Sequence, residues 1–167
     1  FVPHLSFSKN DYRFIDKLAL SSLKKTLFQY DRISHFNFNI HENICEALNI
    51  TKNLEGDYVE IGVFKGGSAL TALNYLDEQY KNNTLKIKRK AWLIDTFDGF
   101  NYEEAKDSSD IIWHGTHSFE SPDYIIQYIQ ETLKDINTPY ELIKSNICSD
   151  NLNNQITKIA VANLDVD

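Results

Sequence analysis

The 167-residue chain has two cysteines, three prolines, six glycines and no methionine. Each scarcity excludes something. Cys45 and Cys148 lie far apart and share no metal-ligand spacing, so neither a disulfide framework nor a structural zinc site is expected. A reduced, cytoplasmic chain is the expectation. No apolar run approaches the roughly 20 residues of a membrane span, and Phe1-Val2-Pro3-His4 lacks the charged-then-apolar pattern of a secretion signal. The absence of methionine, the initiator included, leads us to expect a natural start upstream of Phe1. Basic residues are outnumbered, 17 against 24 acidic, for a net charge of −7. Nucleic acid and anionic membrane both demand a basic face, so neither is expected as a partner. There is no internal repeat and no low-complexity tract.

What is present is an ordinary globular composition, 42% hydrophobic and 25% charged, in a length that suits one domain with a substantial core. Residues 1–10 read as a tail or arm. Helical spacing of Phe14, Ile15, Leu18, Leu23 and Leu27 predicts a helix over 11–30, capped by Asp11. Phe36, Ile40, Ile44 and Leu48 predict a second helix over 34–50 with one apolar stripe. Cys45 reads as core. Neither helix carries a chemical motif, and both serve for packing or as a partner surface, including a possible homo-oligomer contact. We expect residues 1–55 to form a helical cap and 56–167 an α/β unit.

Four of the six glycines, Gly56, Gly62, Gly66 and Gly67, crowd into twelve residues. The run 58–63 is β-rich and carries one acid, Glu60. It turns through Gly62, Gly66 and Gly67 into a helical pattern that extends to about Tyr80. The segment 81–90 is polar and basic and reads as a surface connection. A second buried strand is predicted at 91–95, a third at 140–143 and a fourth at 158–164, with a helix from Ser121 to about 135 and a weak helical segment at 151–156. Ser121 is the expected N-cap and Pro122 suits the first turn. Alternating strands and helices point to a parallel, Rossmann-like α/β sheet. In such sheets ligands bind beyond the carboxyl ends of the strands, which puts the Gly62 turn, Asp95 and Asp165 on one edge.

The turn can be sorted by what it lacks. A P-loop needs a lysine directly after its last glycine; here Ser68 follows Gly67. A dinucleotide fingerprint needs its first two glycines two positions apart; here Gly62 and Gly66 are four apart, which disfavours an NAD-dependent oxidoreductase without removing it. The pattern E-x-G-x-x-x-G-G-S remains, the first motif of S-adenosylmethionine-dependent methyltransferases, met by Glu60, Gly62, Gly66, Gly67 and Ser68. Backbone N–H groups at the helix start can receive the cofactor carboxylate. Glu60 can help to hold its ammonium, and side chains at Gly66 or Gly67 would hinder its approach. Asp95, at the end of the second strand, can accept both ribose hydroxyls; the competing reading makes it a turn cap. Lys65 is expected to face solvent, with a salt link to the cofactor carboxylate as the other reading.

The runs Gly56-Asp57-Tyr58-Val59-Glu60-Ile61-Gly62-Val63-Phe64-Lys65-Gly66-Gly67-Ser68, Leu93-Ile94-Asp95-Thr96-Phe97-Asp98-Gly99-Phe100 and Leu164-Asp165-Val166-Asp167 resemble, in order and spacing, the three motifs of the macrocin O-methyltransferase (TylF-like) family. The resemblance covers most of residues 56–167. It implies a class I methyltransferase sheet, C-terminally incomplete here, that methylates a hydroxyl of a sugar or glycosylated small molecule with S-adenosylmethionine and a bound Mg²⁺. It assigns Asp165 as metal ligand or base and Asp167 as a further metal ligand, with an Asp-Asp pair expected beyond Asp167. A non-catalytic binding domain of the same fold is the other alternative, and the two acids can also simply end a strand. The acidic stretch 101–120 holds His114 and His117. It reads either as a solvated loop or as a substrate lid in which one histidine meets the acceptor. Cys148, after the third strand, could border the adenine pocket.

Overall fold

The computed structural model describes residues 16–29, 38–151 and 154–165. Within them lie four helices, α1 (Lys17–Gln29), α2 (Phe38–Ile50), α3 (Gly67–Lys81) and α4 (Pro122–Thr132). Four strands accompany them, β1 (Asp57–Ile61), β2 (Ala91–Asp95), β3 (Tyr140–Lys144) and β4 (Ile159–Leu164). The strands form one sheet in the order β3-β2-β1-β4, and every pairing is parallel. This is the Rossmann-like arrangement expected from the alternating pattern.

Side-chain alternation along the strands divides the sheet into two faces. Tyr58, Ala91, Leu93 and Val161 join the main core, which α3 covers with Leu70, Leu73 and Leu76 and α4 with Ile125, Ile129 and Leu133. Val59, Trp92 and Ile94 point the other way, with Ile61, Ile143 and Ile156 against them. Ser121 caps α4 as expected, its hydroxyl accepting from Tyr124 N at 3.2 Å, with Pro122 in the first turn.

The N-terminal helices spend their inner faces on this core. Ala19, Ser22, Leu23 and Thr26 of α1 are buried. Lys25 pairs with Glu78 of α3, and Thr71 donates to Thr26 at 3.1 Å. The cap of α1 is Asp16, whose carboxylate accepts from Leu18 N at 2.8 Å; the expected cap Asp11 lies outside the described residues. On α2 the buried residues are His41, Ile44, Cys45 and Leu48, whereas Ile40 is 37% exposed. Phe36 lies outside the described residues. A four-residue step overshoots each helical turn by about 40°, so the expected stripe drifts off the buried face within two turns.

Three further expectations need correction. The segment 81–90 is not merely a surface connection: Leu85 and Arg89 are buried. The Arg89 guanidinium donates to the carbonyls of Thr51 and Leu54, tying the connection after α2 to the segment that enters β2. The acidic stretch is not wholly irregular, for it contains 3-10 helices at Glu103–Asp107 and Ser109–Trp113. The described part of 151–156 is turn and loop, not helix. Among the described residues, no helix is long and apolar enough to cross a membrane.

Candidate active site

The carboxyl ends of the strands are held in line by backbone bonds that continue the ladders past the strands. Gly62 N donates to Ile94 O (3.0 Å), Asp165 N to Ile61 O (2.9 Å) and Ser145 N to Asp95 O (2.9 Å). A cavity of about 380 Å³ opens above them. Its floor comes from Ile61, Gly62 and Phe64 after β1, Ile94 to Phe97 at the end of β2, Ser145 to Cys148 after β3, and Asp165 after β4. Phe100, Tyr102, His117 and Phe119 complete the wall.

Of the residues expected at the site, Gly62, Asp95 and Asp165 meet on this cavity, separated by strand spacing alone. Asp95 does two things there. One carboxylate oxygen accepts from Phe64 N (2.9 Å) and the other from Phe97 N (2.7 Å). It is thus a turn cap as well as a cavity wall, and both amides belong to residues of positive φ, Phe64 at 50° and Phe97 at 53°. A left-handed conformation costs a non-glycine residue roughly 1–2 kcal/mol, and one carboxylate holds both turns in it. Oδ1, which takes the Phe97 N–H, also has the Thr96 hydroxyl at 3.4 Å, so Oδ2 is the oxygen that keeps a second lone pair for a ligand donor. Asp165 is exposed; Asp167 lies outside the described residues.

Glu60, Gly66, Gly67 and Ser68 stand off the cavity wall. Glu60 is fully buried. Its carboxyl accepts from Ser68 Oγ at 2.6 Å and from the Tyr58 hydroxyl. Burial pushes its pKa up to about 7, against the pull of Ser68, Tyr58 and Asn163. The acid and the serine of the motif therefore fasten the strand to the first turn of α3, and their side chains are turned to each other. Gly66 caps α3 at φ 81°. A Cβ there would sit 3.3 Å from Ile129 of α4, so this glycine serves helix entry and packing. Gly67 is the first residue of α3.

One side chain lies where the sequence did not suggest, and one of the two loop histidines lines the cavity. Lys65 is 5% exposed, its ammonium 4.9 Å from the Phe64 ring centroid and 5.4 Å from that of Phe119. Solvent exposure was expected; the aromatic neighbours account for the burial, since a lysine stem and head both pack against ring faces. His117 reaches the cavity and His114 does not. His117 has φ 58° and sets its ring edge-on to Phe64, Phe100 and Trp113 at 5.4, 5.4 and 5.8 Å. The loop carrying it is pinned to the turn after β2. Phe100 N donates to Thr116 O at 3.1 Å, and a Cβ on Gly99 would fall 2.3 Å from that same carbonyl oxygen. Cys148 borders the cavity as its position after the third strand suggested.

Tyr102, Phe119 and Asn146 lie outside the three motif runs, and Phe64 and Phe100 lie within them without a role assigned from the sequence. The available hint was aromatic density beside the glycine turn and the Asp-Gly turn. Among the described lining residues there are two carboxylates, Asp95 and Asp165, and no lysine or arginine. A cavity so lined suits a ligand with positive charge and offers nothing to a pyrophosphate. Among the described residues no group of three or more His, Cys, Asp or Glu could hold a metal ion.

Against known families, a model described as Macrocin-O-methyltransferase (TylF) matches residues 21–167. No curated protein and no solved structure matches the chain.

Proposed function

Since the chain belongs to the macrocin O-methyltransferase (TylF) family, whose members are S-adenosylmethionine-dependent O-methyltransferases, we propose that it methylates a hydroxyl of a sugar or glycosylated small molecule in the cavity at the strand ends. Family membership removes hydride transfer as an alternative. The observation that carries the reading is the convergence of Gly62, Asp95 and Asp165, one from each of three adjacent strand ends, on one cavity of about 380 Å³. That volume lies within the roughly 300–1,000 Å³ of small-molecule sites.

The lining fits the cofactor. Asp95 Oδ2 has a lone pair left for a ribose hydroxyl, Gly62 presents backbone without a side chain, and no lysine or arginine is among the described lining residues. S-adenosylmethionine, when bound, supplies a methyl group on a positively charged sulfur. The chain's own part is to hold the acceptor oxygen in line with that methyl and to take its proton. Positioning of this kind accounts for up to roughly 7–11 kcal/mol of barrier lowering. Asp165, exposed at the end of β4 and facing the same cavity, is assigned the proton as the base. The proton leaves the hydroxyl as its oxygen forms the new bond, and the electron pair of the broken bond stays on sulfur.

Mg²⁺ takes near-octahedral oxygen coordination, usually with one or two carboxylates. Asp165 is a single donor and Asp167 lies outside the described residues, so the described residues do not make up a magnesium site.

The test is transfer of a labelled methyl group from S-adenosylmethionine to a panel of hydroxyl-bearing glycosides. Wild type is expected to label at least one. Asp165→Asn is expected to lose about 10²–10⁴-fold in turnover with cofactor affinity retained. Equal turnover by the variant would remove Asp165 as the base, and label appearing only in acceptors without a sugar would remove the substrate class.

A further inference from the structure

His117 borders the cavity, and both its backbone and its ring are tightly constrained. The backbone is left-handed, at φ 58°. Such a conformation persists where the surroundings over-determine it, and it gathers at sites that bind or react. The surroundings do so here. Phe100 N donates to Thr116 O at 3.1 Å and Gly115 N to Phe100 O at 3.4 Å. A Cβ on Gly99 would fall 2.6 Å from the His117 carbonyl carbon. The ring itself is set edge-on to Phe64, Phe100 and Trp113.

The hydrogen bonds of Thr116 fix the tautomer of that ring. A hydroxyl has one proton to donate. Thr116 Oγ1 lies 2.6 Å from Trp113 O, which can only accept, so the proton is used there. At its 2.8 Å contact with His117 Nδ1 the hydroxyl oxygen must therefore accept. Nδ1 carries the hydrogen, and in the neutral ring Nε2 keeps a lone pair. Among the described residues Nε2 has no hydrogen-bond partner, whereas Asp95, Ser145 and Asn146 on the same wall bond to Phe64, Asp150 and Glu104. We propose that His117 binds the methyl acceptor, its Nε2 receiving a hydrogen bond from a hydroxyl other than the one methylated, so that the site selects acceptors with at least two hydroxyls. This rests on the reading that the cavity is a methyltransferase site with Asp165 as the base.

The place of His117 separates it from the cofactor contacts. Gly62 and Asp95 belong to the floor, at the strand ends, whereas His117 belongs to an exposed stretch of the loop that forms the wall. A lone pair there calls for a donor, and a hydroxyl supplies one. No bond to His117 forms or breaks in the transfer, so its contribution lies in holding the acceptor. With Asp165 on one hydroxyl and His117 on another, the acceptor is held at two points rather than one.

The test is methyl transfer by wild type, His117→Phe and His117→Gln to the glycosides that wild type labels and to their monodeoxy analogues. Phenylalanine keeps the ring contacts and removes Nε2, and glutamine restores an acceptor oxygen. Circular dichroism checks the fold, and calorimetry follows S-adenosylmethionine. In His117→Phe the acceptor KM is expected to rise about three- to tenfold, with kcat and cofactor affinity little changed and partial recovery in His117→Gln. In wild type one deoxy analogue is expected to show the same rise, and His117→Phe to show no further loss with it. An unchanged KM, a matching loss of cofactor affinity, or additive losses overturn the acceptor role and leave the methyltransferase reading standing. Nitrogen-15 spectra of the imidazole give a check that needs no acceptor: Nδ1–H is expected in the neutral ring, and Nε2–H overturns the assignment. Failure of folded wild type to label any glycoside overturns both.

Discussion

At the scale of single residues, two buried ionisable groups pull stability in opposite directions with pH. Burial raises Glu60 to about 7, so the folded state holds a proton between pH 4.5 and 7 that the unfolded chain has released. Its stabilisation is complete below pH 4.5 and is lost as pH rises through 7. Burial lowers His41 to about 4, with Nδ1 2.6 Å from Thr71 Oγ1. Its contribution is complete above pH 6.5 and is lost as pH falls through 4. The two windows overlap, and each effect is on the order of 3 kcal/mol at most. Glu60→Gln is expected to gain stability relative to wild type between pH 4.5 and 7, and His41→Gln to lose it over the same range. Urea unfolding midpoints at the two pH values check this; parallel profiles for all three proteins would contradict it. Residue identity in sequence revealed the acid of the motif but not its orientation. Glu60 lies near the end of a strand that is covered on both sides; Tyr58 shares its face of that strand, and the Ser68 hydroxyl meets it only because strand and helix pack together.

At the scale of elements, the turn between β1 and α3 was legible, and the neighbour of one of its glycines was not. A Cβ on Gly66 would meet Ile129 of α4 at 3.3 Å. Gly66→Ala is expected to destabilise the fold by about 1–2 kcal/mol from its φ of 81°, measured by chemical denaturation; an unchanged midpoint would contradict the packing argument. Arg89 teaches a related lesson. In a run of lysines it reads as surface, yet its guanidinium holds two carbonyls of the α2–β1 connection. Arg89→Leu leaves those acceptors without their charged donor and is expected to cost roughly 2–3 kcal/mol, whereas Lys86→Leu, on the exposed side of the same segment, is expected to change stability by less than about 0.5 kcal/mol. Strand positions came through well because β-rich runs bounded by turn residues leave a strong local signal. The buried arginine and the drift of the α2 stripe did not, because both depend on which neighbour a side chain meets across the fold.

At the scale of the whole molecule, a four-stranded parallel sheet sets the ends of β1, β2 and β4 side by side. Gly62, Asp95 and Asp165, far apart in the chain, become neighbours through that topology. This much could be deduced from the order of strands and helices. The aromatic half of the cavity could not, since it depends on a loop pinned over the sheet by the backbone bonds of Phe100 with Thr116 and Gly115 and by the close approach at Gly99. The central claim is that this cavity holds S-adenosylmethionine with Asp95 on its ribose and Asp165 on the side of the acceptor. Calorimetric titration of the cofactor into folded wild type, Asp95→Ala and Asp165→Ala tests it most directly. Saturable binding to wild type is expected, with affinity reduced about tenfold or more in Asp95→Ala and little altered in Asp165→Ala. No binding to wild type, or equal losses in the two variants, would contradict it.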